Sequence, residues 1–125
     1  MTPAKTCAII GDVFNPAKWA NKSLRAHQMA GYRVFGVHPD GGSAEGEKVF
    51  PSLADIPERL DRVSVYLRPS LVLEALDAIA EKGCDELWLN PGTYTPEVVV
   101  RAESLGLNAV CGCSIIDVGV SPSSL

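Results

Sequence analysis

A charge-free segment of small and β-branched residues, Thr6–Ile10, constrains the fold more than any other part of the chain. Such a segment is typical of a strand that is buried on both faces, as in a parallel sheet. It leads directly into Gly11 and an Asn15-Pro16 turn, and a helix-forming segment follows over about residues 17–30. This order places backbone N–H groups and the positive end of a helix dipole beside the strand's carboxyl end. The segment therefore predicts a phosphate-binding loop.

Strand-like and helix-like segments alternate along the rest of the chain. Further strands are predicted over residues 33–37, 62–67, 85–89 and 107–111, and further helices over residues 69–82 and 95–105. A connection that contains a helix joins parallel strands, so we predict an α/β fold with one doubly wound, mainly parallel, five-stranded sheet. The loops after the first four strands would then meet at one edge of the sheet, where ligands bind in such folds. These loops contain Gly11, Pro39, Pro69 and Pro91-Gly92.

The segment between the second and third strands contains no long helix in this interpretation. Residues 41–47 are polar and contain Gly and Ser, which favours a mobile flap, and residues 49–51 are typical of a short extended piece. Ser52 precedes Asp55 by three residues, as in a capping box, so a brief helical turn is expected before Pro57. We predict one domain, residues 1–118, followed by an unstructured, flexible tail over residues 119–125.

The composition indicates a globular protein that works in the cytoplasm. The chain has 125 residues, of which 46% are hydrophobic, and no apolar run long enough to span a membrane. Its first residues lack the cationic start and apolar block of a secretion signal, so the four cysteines are expected to be thiols. The net charge of −4 argues against binding to nucleic acid. No His or Cys spacing typical of a metal site occurs.

Gly11 begins an incomplete dinucleotide-binding fingerprint. That fingerprint needs three glycines, for the turn, for close approach of the pyrophosphate and for helix packing, but the four residues after Gly11 contain none. An acid that binds the ribose is also expected at the end of the second strand, where this chain has His38-Pro39, with Asp40 two residues late. Both departures argue against an ordinary NAD site.

Six short motifs follow one another along the chain. They are Asn15-Pro16, His38-Pro39-Asp40, residues 50–57, Arg68-Pro69, residues 88–92, and Cys113 with Asp117 four residues later. In order and spacing they resemble the motifs of the small stand-alone CoA-binding domains, which are related to the CoA-binding domains of succinyl-CoA synthetase α subunits and NDP-forming acyl-CoA synthetases. The resemblance extends from about residue 6 to residue 117 and implies a Rossmann-like fold. The chain departs from the family's usual Gly-Ala-Ser, Asn-Pro-Lys and Glu at residues 11–13, 38–40 and 117.

The resemblance implies a non-catalytic cleft that binds coenzyme A or an acyl-CoA. CoA carries more phosphate charge than NAD, and Lys18, Lys22 and Arg68 are the cations expected on the loop rim. A carboxylate at Asp12 is compatible with a diphosphate if it points away or caps the helix. The implied contacts are Gly11, Asp12, Val13, Phe14, Asn15 and Lys18 for the diphosphate, and His38, Pro39 and Asp40 for the adenosine. Leu67, Arg68, Pro69, Asn90, Pro91 and Gly92 would follow the nucleotide or the pantetheine arm.

Two other functions stay open at this stage. One is an NAD(P)-binding, oxidoreductase-like domain, and the other is a ligand-free interaction or sensor protein that keeps the fold. No nucleophile–base arrangement or paired carboxylates stand out, so catalysis is not expected. Cys111 and Cys113 lie near the rim, where exchange with a CoA thiol is a hypothesis and simple packing is the alternative. Uncovered edge strands would allow a homodimer or a partner enzyme.

Overall fold

The computed structural model describes residues 4–125, which form seven strands, four α-helices and two short 3-10 turns. The strands are β1 (Thr6–Ile10), β2 (Arg33–Val37), β3 (Gly42–Ala44), β4 (Glu47–Phe50), β5 (Leu60–Val65), β6 (Cys84–Leu89) and β7 (Ala109–Cys111). The helices are α1 (Trp19–Met29), α2 (Pro69–Lys82), α3 (Pro96–Ser104) and α4 (Ser114–Asp117), and the 3-10 turns are Leu53–Asp55 and Pro122–Ser124. Among these described residues, no helix is long and apolar enough to cross a membrane.

All strands belong to one sheet in the order β3-β4-β2-β1-β5-β6-β7. Every neighbouring pair is parallel except β3 and β4, so the predicted α/β fold with a mainly parallel sheet is confirmed. The predicted number of five strands was wrong, because β3 and β4 add a hairpin at one edge. From β1 the chain builds outward in one direction through β2 and in the other through β5. The strand order therefore reverses between β1 and β5, which is where ligands bind in open sheets of this type.

The hairpin begins in the flap predicted over residues 41–47, and β4 overlaps the short extended piece predicted over residues 49–51. Ala44 pairs with Glu47, which leaves Glu45 and Gly46 as a two-residue turn with φ angles of 51° and 81°. Positive φ at both central positions is the geometry that matches the twist of a tight hairpin. The hairpin contacts α1, since the Gln28 side chain donates to the Glu45 carbonyl oxygen at 2.9 Å. Gly, Ser and Ala have weak strand preference, which hid β3 in the sequence.

Helices cover both faces of the sheet, and alternate residues of β1 point to each. Cys7 and Ile9 pack with Leu24 of α1, whereas Ala8 and Ile10 belong to the core formed with α2 and α3. Helix α2 begins with Pro69, and Gly83, which has φ 82°, caps its carboxyl end. This two-sided packing explains why β1 contains no charged residue.

Several strands, helices and turns differ in the structure from what the sequence predicted. The third predicted strand is β5, which begins at Leu60, because Asp61 is accommodated by accepting a hydrogen bond from the Thr6 amide at 2.8 Å. Ser52 makes no side-chain cap for the turn that follows it, so the predicted capping box was wrong. Helix α4 was not predicted. The tail predicted to be unstructured contains the 3-10 turn Pro122–Ser124.

Candidate functional site

The loop after β1 starts with a close approach between Gly11 and the end of β5. Gly11 has φ 147°, and a Cβ atom there would lie 2.8 Å from the carbonyl oxygen of Tyr66. The Tyr66 amide in turn donates to the carbonyl oxygen of Ile10 at 2.8 Å. Only glycine fits this conformation and this distance. The loop therefore turns sharply over the switch point between β1 and β5.

Side chains of the loop already occupy several of its backbone amides. Asp12 Oδ1 accepts hydrogen bonds from the amides of Phe14, at 3.2 Å, and Asn15, at 3.4 Å. Asn15 Oδ1 likewise accepts from the Ala17 amide at 3.0 Å. Asp12 thus caps the loop, whereas the sequence-based alternative was a cap on the helix, which begins only at Trp19. The Phe14 and Asn15 amides are consequently not free to hold a phosphate while Asp12 keeps this position.

The amides at the start of α1 differ from those of the loop in their hydrogen bonding. The first backbone bond of this helix runs from Lys22 to the carbonyl oxygen of Lys18, at 3.1 Å, so the amides of Trp19, Ala20 and Asn21 precede the intrahelical ladder. Lys18 provides no side-chain cap. These amides and the helix dipole make this end of α1 electropositive.

A pocket of about 250 Å³, which we call the cationic pocket, opens at this end of α1. Lys18 and Arg68 line it, both are exposed, and neither forms an ion pair within the described residues. The remaining lining residues are Asp12, Trp19, Ala20, Tyr66, Leu67, Pro91, Gly92 and Thr93. Two unpaired cations and a helix N-terminus favour an anion here.

A larger, mainly apolar depression of about 490 Å³, the apolar pocket, lies beside it and shares Asp12 and Leu67 with it. His38 stands in its wall, where Nδ1 accepts from the Asp40 amide at 3.1 Å and the ring meets Phe14 edge to face at 5.0 Å. The other lining residues are Ile10, Gly11, Val37, Pro39, Pro51, Leu71, Glu74 and Ala75.

A third depression of about 180 Å³, the terminal pocket, lies on the other side of the cationic pocket. It shares Trp19, Tyr66 and Pro91 with that pocket, and Asn90 and Cys113 complete its wall. The three pockets therefore form one groove along the carboxyl edge of the sheet, which we call the rim groove.

The rim groove brings together ten of the fifteen residues that the resemblance implied. Those lining it are Gly11, Asp12, Lys18, His38, Pro39, Leu67, Arg68, Asn90, Pro91 and Gly92. The other five, which line none of the three pockets, are Val13, Phe14, Asn15, Asp40 and Pro69. Val13 is fully buried in the core beside α1, and Lys22 lies over the Trp19 ring at 4.7 Å from its centre.

Sequence reasoning missed Trp19 and Tyr66, two of the three residues shared by the cationic and terminal pockets. Trp19 follows Lys18 directly and is 52% exposed, so an aromatic side chain at the helix start was the available signal. Tyr66 was assigned to the interior of a strand, whereas β5 ends at Val65 and leaves Tyr66 in the loop. The error arose because the predicted strand extended two residues beyond the end of β5.

A buried hydrogen-bond network fixes the floor beneath the terminal pocket. Asn90, which is 1% exposed, accepts from the Ser114 amide at 2.9 Å and donates to Ser64 Oγ at 2.8 Å. Ser114 Oγ also lies 3.1 Å from the Tyr66 hydroxyl. Burial raises the pKa of Tyr66, so its hydroxyl stays protonated at neutral pH. The end of β6 is thereby tied to α4.

A second cluster lies between α1 and β5, around the buried residues Arg62 and His27. Arg62 pairs with Glu86 and with Asp117, each at 2.8 Å, and its guanidinium stacks over Trp88 at 4.8 Å. His27 Nδ1 lies 2.8 Å from the Ser23 carbonyl oxygen. Burial lowers the pKa of His27 to about 4. Asp117, one of the motif residues, is thus engaged with Arg62 and anchors α4.

These features define a Rossmann-like α/β domain whose groove lies at the switch point of a parallel sheet. The chain belongs to a family of CoA-binding domains: the family model, described as a CoA binding domain, matches residues 5–118. Membership suggests an association with CoA, and it confirms the resemblance recognised in the sequence.

Individual proteins resemble this chain in sequence or in fold. An uncharacterised protein of Bacillus subtilis, YneT, is 24% identical over 107 residues, which is 86% of this chain and 79% of YneT. A solved structure from Thermus thermophilus is 29% identical, with a TM-score of 0.84 over 91% of this chain and 87% of that one. A dinucleotide-forming acetyl-coenzyme A synthetase from Candidatus Korarchaeum cryptofilum shares the fold, with 22% identity and a TM-score of 0.76 over 85% of this chain and 25% of the synthetase.

Proposed function

We propose that this protein binds coenzyme A or an acyl-CoA in the rim groove without transforming it. The observation that carries the proposal is the adjacency of a mainly apolar pocket of about 490 Å³ and a cationic pocket of about 250 Å³ at the switch point. CoA has the same sequence of parts, an adenosine followed by phosphates. The family to which the chain belongs supports the same ligand.

In this proposal the adenosine lies in the apolar pocket. Its wall combines aliphatic and proline surfaces with the side chains of Asp12 and Glu74 and with His38, whose ring is fixed edge to face against Phe14. Apolar pockets with a few fixed polar groups are the usual environment for a nucleoside base. His38 and Pro39 take the place beside the base that the resemblance implied.

The diphosphate lies in the cationic pocket, against the start of α1. Lys18 and Arg68 supply opposite charge, and the amides of Trp19 and Ala20 supply donors. This placement differs from the sequence-based one, which put the diphosphate on the loop of residues 11–15. Asp12 already satisfies the Phe14 and Asn15 amides, so the helix amides are the better donors.

A second candidate function is favoured by the same carboxylate. Asp12 puts a negative charge at the junction of the apolar and cationic pockets, where it repels a diphosphate. A carboxylate at this position would do no harm in a protein that keeps the fold but binds no ligand. Replacement of Asp12 distinguishes the two candidates: D12S should tighten CoA binding if the groove is a CoA site.

The proposal is tested by thermal unfolding with CoA, acetyl-CoA, NAD and NADP at equal concentrations. A ligand that binds only the native state raises Tm, by an amount set by its concentration relative to Kd. We expect CoA and acetyl-CoA to raise Tm and the nicotinamide nucleotides to leave it unchanged. Stabilisation by NAD alone would favour an oxidoreductase-like domain, and no stabilisation in either D12S or the unaltered protein would favour the ligand-free protein.

A further inference from the structure

The proposed function fixes where the ribose of a bound CoA lies. In CoA the ribose is bonded to the adenine on one side and to the diphosphate on the other, so it lies where the apolar and cationic pockets meet. Asp12 and Leu67 line both pockets and mark that junction. The ribose of CoA also carries a third phosphate, on its 3′ oxygen. The charges around the junction therefore decide whether this phosphate favours or opposes binding.

Asp12 presents a carboxylate oxygen at the junction. Its Oδ1 accepts hydrogen bonds from the amides of Phe14, at 3.2 Å, and Asn15, at 3.4 Å, which hold the side chain in place. Its Oδ2 makes no hydrogen bond or ion pair with the described residues, and the side chain is exposed. A free carboxylate oxygen accepts a hydrogen bond from a ribose hydroxyl, whereas it repels a phosphate.

The rest of the apolar pocket offers a phosphate no opposite charge. Its described lining residues include a second carboxylate, Glu74, and neither Lys nor Arg. His38 Nδ1 accepts a hydrogen bond from the Asp40 amide at 3.1 Å, so the His38 ring is uncharged in this arrangement. The side of the junction that holds the adenosine is therefore negative.

The cations of the rim groove suffice for the diphosphate alone. Among the described lining residues of its three pockets, Lys and Arg occur once each, as Lys18 and Arg68 in the cationic pocket. Lys22 lies over the Trp19 ring, at 4.7 Å from its centre, and lines none of the three pockets. A 3′-phosphate brings about two further negative charges. Whichever way it points, it shares the two cations with the diphosphate, faces a carboxylate or stays in water.

Rossmann-like folds show the same choice between ribose forms. Where the ribose has free hydroxyls, a carboxylate accepts a hydrogen bond from one of them, and where the ribose is phosphorylated, an arginine takes its place. The junction of this groove has the carboxylate of Asp12. Its chemistry therefore matches an unphosphorylated ribose.

We infer that the rim groove prefers a ligand with a free ribose 3′-hydroxyl, that is 3′-dephospho-CoA or its thioesters, and that Asp12 is responsible for this preference. The inference rests on the proposed function, since it takes the positions of the adenosine and the diphosphate from it. It adds the form of the nucleotide, and it gives Asp12 a role in binding besides its cap on the loop.

CoA and 3′-dephospho-CoA provide the test, because they differ only in the 3′-phosphate. Their dissociation constants are measured by calorimetry at low salt. Dephospho-CoA should bind about fivefold more tightly, which is the factor expected for repulsion between exposed like charges. The preference should shrink in roughly 1 M salt, where the Debye length is about 3 Å.

Two variants locate the preference. Asp12→Asn removes the charge but keeps an Oδ1 that accepts from the two loop amides, so the ratio of the two dissociation constants should fall to less than about twofold. Asp55→Asn is the matched control and should keep the fivefold ratio, because Asp55 is exposed and lines none of the three pockets. An unchanged ratio in Asp12→Asn, or an equal fall in both variants, would overturn the role of Asp12.

The outcomes distinguish failure of this inference from failure of the proposed function. If CoA binds as tightly as dephospho-CoA or more tightly, the groove does not prefer a free 3′-hydroxyl and the inference is overturned. If neither compound binds, the proposed function itself is overturned.

Discussion

Gly11 approaches Tyr66 so closely that a Cβ atom at residue 11 would lie 2.8 Å from the Tyr66 carbonyl oxygen. The carbonyl oxygen of Ile10, the preceding residue, accepts a hydrogen bond from the Tyr66 amide at 2.8 Å. The approach joins the two strand ends between which the sheet order reverses, and Tyr66 in turn lines the cationic and terminal pockets. The shape of the rim groove therefore depends on this glycine.

Replacement of Gly11 by Ala should lower the free energy of unfolding by about 3 kcal/mol or more, because φ 147° is essentially restricted to glycine and the added Cβ meets fixed backbone. Gly106→Ala is the control, since Gly106 has φ 78° and open space around it, and should cost about 1 kcal/mol. Urea denaturation measures both. Equal losses would show that the contact with Tyr66 is unimportant.

Replacement of Lys18 by Ala should weaken CoA binding about tenfold and reduce its dependence on salt, because the variant loses a cation opposite the phosphates. Lys5→Ala removes the same charge beside Thr6, at the amino end of β1, and should leave the affinity unchanged. Calorimetric titration at two salt concentrations gives the comparison. Matching affinities for the two variants would place Lys18 outside the site.

The stability of the protein should fall as the pH decreases from 6.5 to about 4. Burial, opposed by the hydrogen bond to the Ser23 carbonyl oxygen, lowers the pKa of His27 from 6.5 to about 4. Arg62, 3.4 Å from His27 Nε2, lowers it further, and Asp117 opposes this. The unfolded chain therefore binds a proton through this window that the native protein does not, and stability rises with pH there.

This linkage is worth about 3 kcal/mol between the two ends of the window. Replacement of His27 by Gln should remove it, so the difference in unfolding free energy between the variant and the unaltered protein should change by that amount between pH 7 and pH 4. Urea denaturation as a function of pH provides the measurement. A constant difference across the window would mean that His27 does not resist protonation in the native state.

The cysteines should react with iodoacetamide according to their position. Cys7 is fully buried, and burial raises the pKa of its thiol, so it should stay unlabelled in the native protein. Cys111 is exposed and Cys113 half-buried, and both should react. Saturating acetyl-CoA should protect Cys113 alone, since only that cysteine lines the terminal pocket. Peptide mass spectrometry reads the labelling, and equal protection of Cys111 would contradict this placement.

The parallel sheet and the edge at which its loops meet could be predicted from the sequence because each depends on local pattern. The uncharged β1, the glycine that follows it and the proline and glycine that bound α2 all specify their structure within a few residues. The hairpin β3–β4 could not, since Gly42 and Ser43 pair with β4 in spite of weak strand preference. Tertiary contact with α1 outweighs propensity there.

The candidate site was predictable to the level of its loops and not to the level of its atoms. Loop order along the chain placed Lys18, His38 and Arg68 at one edge of the sheet, and they line the rim groove. The bond from the Phe14 amide to Asp12, by contrast, depends on the turn of a few residues in space. The network that joins Asn90 to Ser114 spans 24 residues and has no local pattern that reveals it.

Nuclear magnetic resonance with ¹⁵N-labelled protein tests most directly whether the start of α1 holds the phosphates of CoA. CoA is titrated into the protein, and the amide resonances of Trp19, Ala20 and Asn21 are followed. Our account predicts saturable shifts at these amides and at residues of the apolar pocket, with none at the opposite edge of the sheet around Lys5. Absence of saturable shifts, or shifts confined to that opposite edge, would contradict it.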